Sequence, residues 1–488
     1  TAEEARAAGI HVNFAPVMDV NNNPDNIIIN TRSYGENPAL VSRLGSAFIR
    51  GLQDFGVLAT AKHYPGHGDT NVDSHLGLPT IDVDKNRLNS VELAPFRAAV
   101  AAGVKMVMVA HITYSAFPQM EGRPASLDSY FIQKVLREQM GFRGLVVTDA
   151  MGMRGITNHY WSGEAAVMAI NAGIDMVLVS PNFESTYRFV LQAAREGRIS
   201  MERINTSVRR ILEEKSRLGL TRIPKMDWVR FEEVFSKPVY MDKAEDIANA
   251  SVTLVRDDKN IIPLKANLVD SVLVVAITDR EWGYLYRDRL QREVSRRIPV
   301  VKSALIDFRS SSEDIERIIA HVDSSQAVIA GLFVTWGSYK GSVTLPDTTV
   351  SLVNKLFRSD KPMAIVSFGS PYLLRQIPEV PSYLCAYAAD PLAIRAGTKA
   401  IFGEIPLSAK LPVSIPGLAR TGDGLSRPEY DMRLDRMMME EKFQDAFQIL
   451  NEAINDSVFP GAQICIVDDG KIVVSESFGQ QTYDRDSP

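Results

Sequence analysis

Cysteine is nearly absent from this chain. Cys385 and Cys465 are the only two in 488 residues, and they lie in different segments, so no disulfide framework is implied. Long apolar runs are missing too, and no membrane span is expected. Positive charge is not in excess: 54 Lys and Arg face 59 Asp and Glu, a formal net charge of -5. That balance offers no basic field for nucleic acid or an anionic membrane. An initiator Met is lacking, and residues 1–9 read as the tail of a helix stopped by Gly9. Any leader would precede Thr1, so the compartment is not legible. The length implies two to four domains with ample core.

Histidine is scarce as well, yet three of the seven fall within residues 63–75. The stretch is Lys62-His63-Tyr64-Pro65-Gly66-His67-Gly68-Asp69-Thr70, followed by Asp73-Ser74-His75. It succeeds an apolar run, Val57 to Ala61, that reads as a buried strand ending on Lys62. Proline and glycine then forbid a helix, so polar groups sit on a loop anchored by a rigid element. A phosphate-binding loop is disfavoured because no Gly-Lys-Ser/Thr follows the glycines. A zinc site from His63, His67 and His75 stays open, though no helix presents them and no cysteine joins them. So does a plain polar surface loop.

From Ile10 to about Leu220 the pattern repeats: a short apolar strand, a polar loop, an amphipathic helix. Strands are expected at 12–17, up to Lys62, at 105–110, 144–148 and 176–179. Helices are expected from Pro38, with Leu40, Val41, Leu44, Phe48 and Leu52 on one face, over 91–102, and from a Ser126 cap to Gln139. Strands so continuously apolar indicate a parallel sheet with helical crossovers. Asp19, Lys62-His63, His111 and Asp149 all fall just past the carboxyl ends of their strands. In a (β/α)8 barrel those ends converge on the active-site face; an open doubly wound sheet collects ligands there too.

The run from Lys62 to His75 resembles the signature of the glycoside hydrolase family 3 β-N-acetylglucosaminidases. The resemblance implies an α/β protein: a (β/α)8 TIM-type barrel, truncated at its N-terminus with two strands expected before Thr1, then a three-layer α/β sandwich. It implies a nucleophile at Asp149, within Val147-Thr148-Asp149-Ala150-Met151. Family members often carry Ser-Asp-Asp here, and this chain keeps a single Asp. Asp73 and His75 correspond to an acid/base dyad, with His75 as proton donor and Asp73 fixing its tautomer. Asp19, Arg32, Lys62, His63 and His111 correspond to substrate-binding positions, His111 being equally readable as a buttress or core residue. His67 and Asp69 are expected to shape the loop.

The domains expected are 1–225 for the incomplete barrel, 226–250 for a linker, 251–418 for the sandwich, and 419–488 for a linker and a further edge. Asn260 to Leu264 and Gly403 to Val413 resemble the second domain of two-domain family 3 glycosidases. Phe459-Pro460-Gly461-Ala462 and the strand pair after it are similar to the opening of serine β-lactamase-like domains. No Ser-x-x-Lys occurs in the 488 residues, so that chemistry is not expected in this chain. The implied activity is that of a retaining exo-β-N-acetylhexosaminidase on glycans containing N-acetylglucosamine, peptidoglycan fragments among them. No metal or organic cofactor is expected, nor a nucleic-acid partner. A bacterial envelope or periplasmic setting is favoured over the cytoplasm. A family 3 β-glucosidase and a non-catalytic carbohydrate-binding fragment are the alternatives.

Overall fold

The computed structural model describes residues 1–483 except 71, 75, 118–119, 121, 223–225, 236, 338–339, 358, 431–435 and 469–470. The first seven strands are β1 (Val12–Asn13), β2 (Leu58–Tyr64), β3 (Thr80–Ile81), β4 (Met106–Val109), β5 (Thr113–Tyr114), β6 (Leu145–Ala150) and β7 (Met176–Leu178). Five of them form a curled, wholly parallel half-barrel sheet in the order β1-β2-β4-β6-β7. Each of these strands lies beside the next one in sequence, and the order never reverses. β3 and β5 pair separately above it.

Side-chain alternation sorts the sheet into two faces. Ala59, Ala61, Val107, Val109 and Val146 join the large core formed with the crossover helices. Leu58, Met106, Met108, Leu145 and Val147 form a smaller apolar cluster on the other face. Lys62 and Asp149, expected just past their strands, lie within the last residues of β2 and β6 and continue the second set, whereas His111, just past β4, continues the first. That parity decides what each can reach.

The helix Pro38–Gln53 starts where expected, because the Asn37 side chain accepts from the amides of Ala39 and Leu40 at 2.8 and 3.2 Å. Its buried stripe is Val41, Gly45, Ile49 and Leu52, and the predicted Leu44 is exposed. Gly45 is there for a close approach: a side chain would strike the sulfur of Met18, the residue before Asp19. Ser126 is no cap. It is buried in the turn Ala125–Leu127, and the following helix, Tyr130–Gln139, has wide π-type turns.

A second sheet comprises β8 (Thr253–Asp257), β9 (Ser271–Thr278), β10 (Val300–Ile306), β11 (Ala327–Phe333), β12 (Met363–Ser367) and β13 (Ser382–Cys385), in the order β10-β9-β11-β12-β13-β8. The order reverses at β9, and β8 is antiparallel at the edge, which is doubly wound topology. Apolar clusters cover both faces. Residues expected as a linker are largely helical, Trp228–Phe235 and Pro238–Ser251. The second helix is tied to the second unit by Glu245, which pairs with Lys399 at 2.9 Å and Arg395 at 3.5 Å. The helix Arg436–Asn455 precedes an antiparallel hairpin, β14 (Gly461–Asp468) with β15 (Lys471–Gly479).

The two larger units are joined through the loop that leads into helix Pro38–Gln53. Glu36 accepts from the Ser414 amide at 2.7 Å and its hydroxyl at 2.6 Å, while the Glu36 amide donates to the Pro412 carbonyl. Asn21 donates to the Tyr372 hydroxyl at 2.9 Å, and Arg375 pairs with Asp25 at 2.7 Å. Candidate site residues on the loop 19–36 are therefore held between the two units.

Candidate active site

The loop after β2 is fixed by a buried carboxylate. Asp19 accepts from the His63 amide at 3.2 Å, the His67 amide at 2.7 Å and the His63 ring Nδ1 at 2.7 Å. Burial would raise its pKa, but the His63 and His67 contacts outweigh that and leave it below the ordinary value. Asp19 spends these hydrogen bonds on organising the end of β2 and the loop to His67. Asn26 clips the same loop, donating to the carbonyls of His67 and Gly68 at 2.9 and 2.8 Å. A side chain on Gly68 would collide with the Val20 carbonyl, which explains the glycine. Asp69 reaches Arg87 at 3.5 Å, outside the centre.

His63 lies between Asp19 and Arg32, whose Nη2 is 3.2 Å from the ring Nε2. A guanidinium only donates, so Nε2 accepts and the proton sits on Nδ1, facing Asp19. With both nitrogens so committed, His63 has none left to ligate a metal. Among the described residues no three His, Cys, Asp or Glu side chains converge as metal ligands.

His67 is buried, with Nε2 3.1 Å from the Ser74 hydroxyl. Burial lowers its pKa from 6.5 to about 4. Between those values an unfolded chain binds a proton that the folded chain refuses. Stability should therefore fall as pH drops from 6.5 to about 4, by about 3 kcal/mol at most, and level off below. His67→Asn should flatten that slope in urea midpoints measured across this range. An unchanged slope would place the titrating group elsewhere.

Asp149 stands at the end of β6, half-buried, with Oδ1 accepting from the Ala150 amide at 2.8 Å. No described residue donates to Oδ2. Burial pushes its pKa up, but His63, His111, the Ala150 amide and His67 together bring it below the ordinary value, so it is a carboxylate at neutral pH. Arg32 and Lys62 both feel Asp149 and Asp19, and burial lowers the pKa of each cation. Two cations and two carboxylates thus share one small region.

His111 acts on Asp149 from the helix side of the sheet. Its Nε2 donates to the Ala150 carbonyl at 3.2 Å, and its Nδ1 lies 2.7 Å from the Ser126 hydroxyl. It is fully buried, and its strand parity turns it toward the helices. Its bond to the Ala150 carbonyl steadies the backbone beside Asp149.

Asp73 is buried, and its carbonyl accepts from the amides of Leu76 and Gly77 at 2.8 and 3.0 Å, closing a turn. His75 lies outside the described residues. The turn is docked on the exit of β6, since the Ser74 carbonyl accepts from the Gly155 amide at 3.3 Å. A side chain on Gly155 would press on the Gly77 and Ser74 carbonyls at 3.0 and 3.3 Å. The turn closed by the Asp73 carbonyl thus packs on the segment that follows Asp149.

Sequence reasoning missed Asn26, Ser74 and Trp336. The first lies in an Asn-rich loop just past Asp19, a polar cluster at a strand end that could have flagged it. Trp336 lies past the end of β11, with its ring centre 4.6 Å from the Arg32 guanidinium.

Residues 1–213 match the family profile described as glycosyl hydrolase family 3 N terminal domain. β-Hexosaminidase A of Pseudoalteromonas piscicida is 32% identical over 308 residues, covering 59% of this chain and 50% of that protein. The chain spans about half the length of that relative. A β-N-acetylglucosaminidase/β-glucosidase of Cellulomonas fimi is 28% identical over 438 residues, covering 84% of this chain and 75% of that protein. Among solved structures, a glycoside hydrolase family 3 β-N-acetylglucosaminidase from Paenibacillus sp. str. FPU-7 superposes with a TM-score of 0.74 at 34% identity, over 85% of this chain and 78% of that one. Kinship at this level across both larger units, with an ionised carboxylate at the end of β6 and a docked turn beside it, has one conclusion: the chain belongs to glycoside hydrolase family 3.

Proposed function

We propose that this chain carries the active site of a retaining exo-β-N-acetylhexosaminidase that releases β-linked N-acetylglucosamine, with peptidoglycan fragments as its natural glycans. Asp149 attacks the anomeric carbon from below to form a glycosyl-aspartate. His75 protonates the departing oxygen, then takes a proton from the incoming water, while Asp73 holds its ring and stabilises the imidazolium. Arg32, Lys62 and His63 face the sugar hydroxyls, and Asp19 acts through the loop it holds.

The observation that carries this reading is the docking of the 73–77 turn on the exit of β6. The partner in that docking is Gly155, in the segment that follows Asp149, which supports a dyad at Asp73 and His75 acting on the same sugar. A β-glucosidase of the same family would draw its acid from the second unit instead.

The same reading takes the half-barrel as part of a closed (β/α)8 barrel and the second sheet as a three-layer sandwich. It takes the C-terminal hairpin as the edge of a serine β-lactamase-like domain, in a protein of the bacterial envelope. Rates on matched aryl β-N-acetylglucosaminide and aryl β-glucoside substrates test the function. Cleavage of the first at least about tenfold faster in kcat/KM is expected, which is 1.4 kcal/mol of discrimination. Preference for the glucoside would favour the glucosidase, and binding without cleavage the non-catalytic reading.

A further inference from the structure

The second unit reaches the site through one loop, past the end of β11. Trp336 lies against Arg32 at 4.6 Å, a distance at which a ring face attracts a cation. Arg32 needs a fixed seat. It is largely buried, the ammonium of Lys62 repels it, and it donates to the Ile28 carbonyl at 3.1 Å and to His63 Nε2 at 3.2 Å. A guanidinium pushed by a like charge drifts unless its remaining face is held.

Trp336 is itself well anchored. Its carbonyl accepts from Arg280 at 3.2 Å. Lys340 pairs with Asp279 and donates to the Thr335 carbonyl, which closes the loop on the exit of β9. Beyond it, Gly341 turns through a positive φ of 76°, and its Cβ position lies 4.0 Å from Leu76 of the 73–77 turn. One clasp from the second unit therefore meets both Arg32 and the neighbour of His75.

We propose that Trp336 is a positioning residue: it seats Arg32, and through Arg32 the orientation and tautomer of His63, so that the second unit sets the sugar-binding geometry of the first. The contacts run from Trp336 to Arg32, His63, Asp19 and the His67 amide, joining the second sheet to the loop after β2. This inference rests on the hexosaminidase reading for its kinetic test, but the contact between the indole ring and the guanidinium has a test of its own.

In the full-length protein, Trp336→Ala should raise KM for an aryl β-N-acetylglucosaminide about fivefold to tenfold with kcat within about twofold. Arg32 would be misplaced in ground and transition states alike. Trp336→Phe, which keeps a ring face, should recover most of the loss. Added to Arg32→Lys, Trp336→Ala should cost little more, because the two residues act as one unit. Thermal unfolding of the wild type, Trp336→Ala, Arg32→Lys and their combination gives the coupling without any substrate. Coupled melting with an inactive wild type would sink the hexosaminidase reading and leave the clasp standing. An active wild type whose KM ignores Trp336→Ala, or losses that simply add, would overturn the positioning role.

Discussion

Asp149→Asn should lower kcat/KM by at least about a thousandfold on every aryl β-N-acetylglucosaminide, about 4 kcal/mol or more of transition-state stabilisation. An amide of the same shape keeps the acceptor for the Ala150 amide, so the fold should survive. It has neither the charge to stabilise an oxocarbenium-like centre nor the nucleophilicity to trap it. Burial alone would work against this carboxylate by favouring its protonated form. The structure offsets that with His63, His111 and an amide donor, which keep it ionised. Activated leaving groups should not rescue the variant, because the missing group acts on the sugar side of the bond. Unchanged melting with activity above a few per cent of wild type would show that another carboxylate attacks.

The place of Asp149 was legible because a strand-end position is a local property of the chain: an apolar run stops and an acid follows. Parity is local too. Counting from Leu145 to Asp149, and from Val107 to His111, separates the residue on the inner face from the one against the helices. What sequence could not supply was contact across distance. Asp19 looks like a free polar group after a strand, yet backbone donors more than forty residues away take up its oxygens. Trp336 and Arg32 are about three hundred residues apart, and nothing local in either names the other.

The same limit explains the strands. β9 from Val272 to Ile277 and β11 throughout carry no polar side chain because both of their faces are covered, and such runs read directly as buried strands. β10 is an edge strand, only partly buried, and includes Lys302 and Ser303, so its periodicity is diluted and its signal in the sequence is weak. β8 is weak in the sequence for a related reason: five residues ending in Arg256 and Asp257 carry little apolar signal, and their pairing with β13 is distant.

The acid/base assignment makes the other large prediction, and the leaving group reads it. His75→Ala should cost about a hundredfold to ten-thousandfold in kcat/KM on a β-linked disaccharide, whose alkoxide cannot depart unprotonated. On a dinitrophenyl glycoside, kcat/KM should stay within about threefold, since that leaving group needs no proton and kcat/KM reports the first step. Yet kcat on that substrate should collapse, because water must then attack the glycosyl-aspartate without a base. An anion that needs no deprotonation, such as azide or phosphate, should restore it. A neutral imidazole, unlike a second carboxylate, does not repel such an anion, so phosphate should compete with water even in the wild type. Asp73→Ala should show the same bias more weakly, since it removes the orienting partner and leaves the proton donor. The measurement is kcat/KM for both variants across aryl leaving groups of rising pKa, with and without azide. Equal loss on every leaving group would make His75 a positional residue, and the proton donor would then have to be sought on the second unit's clasp.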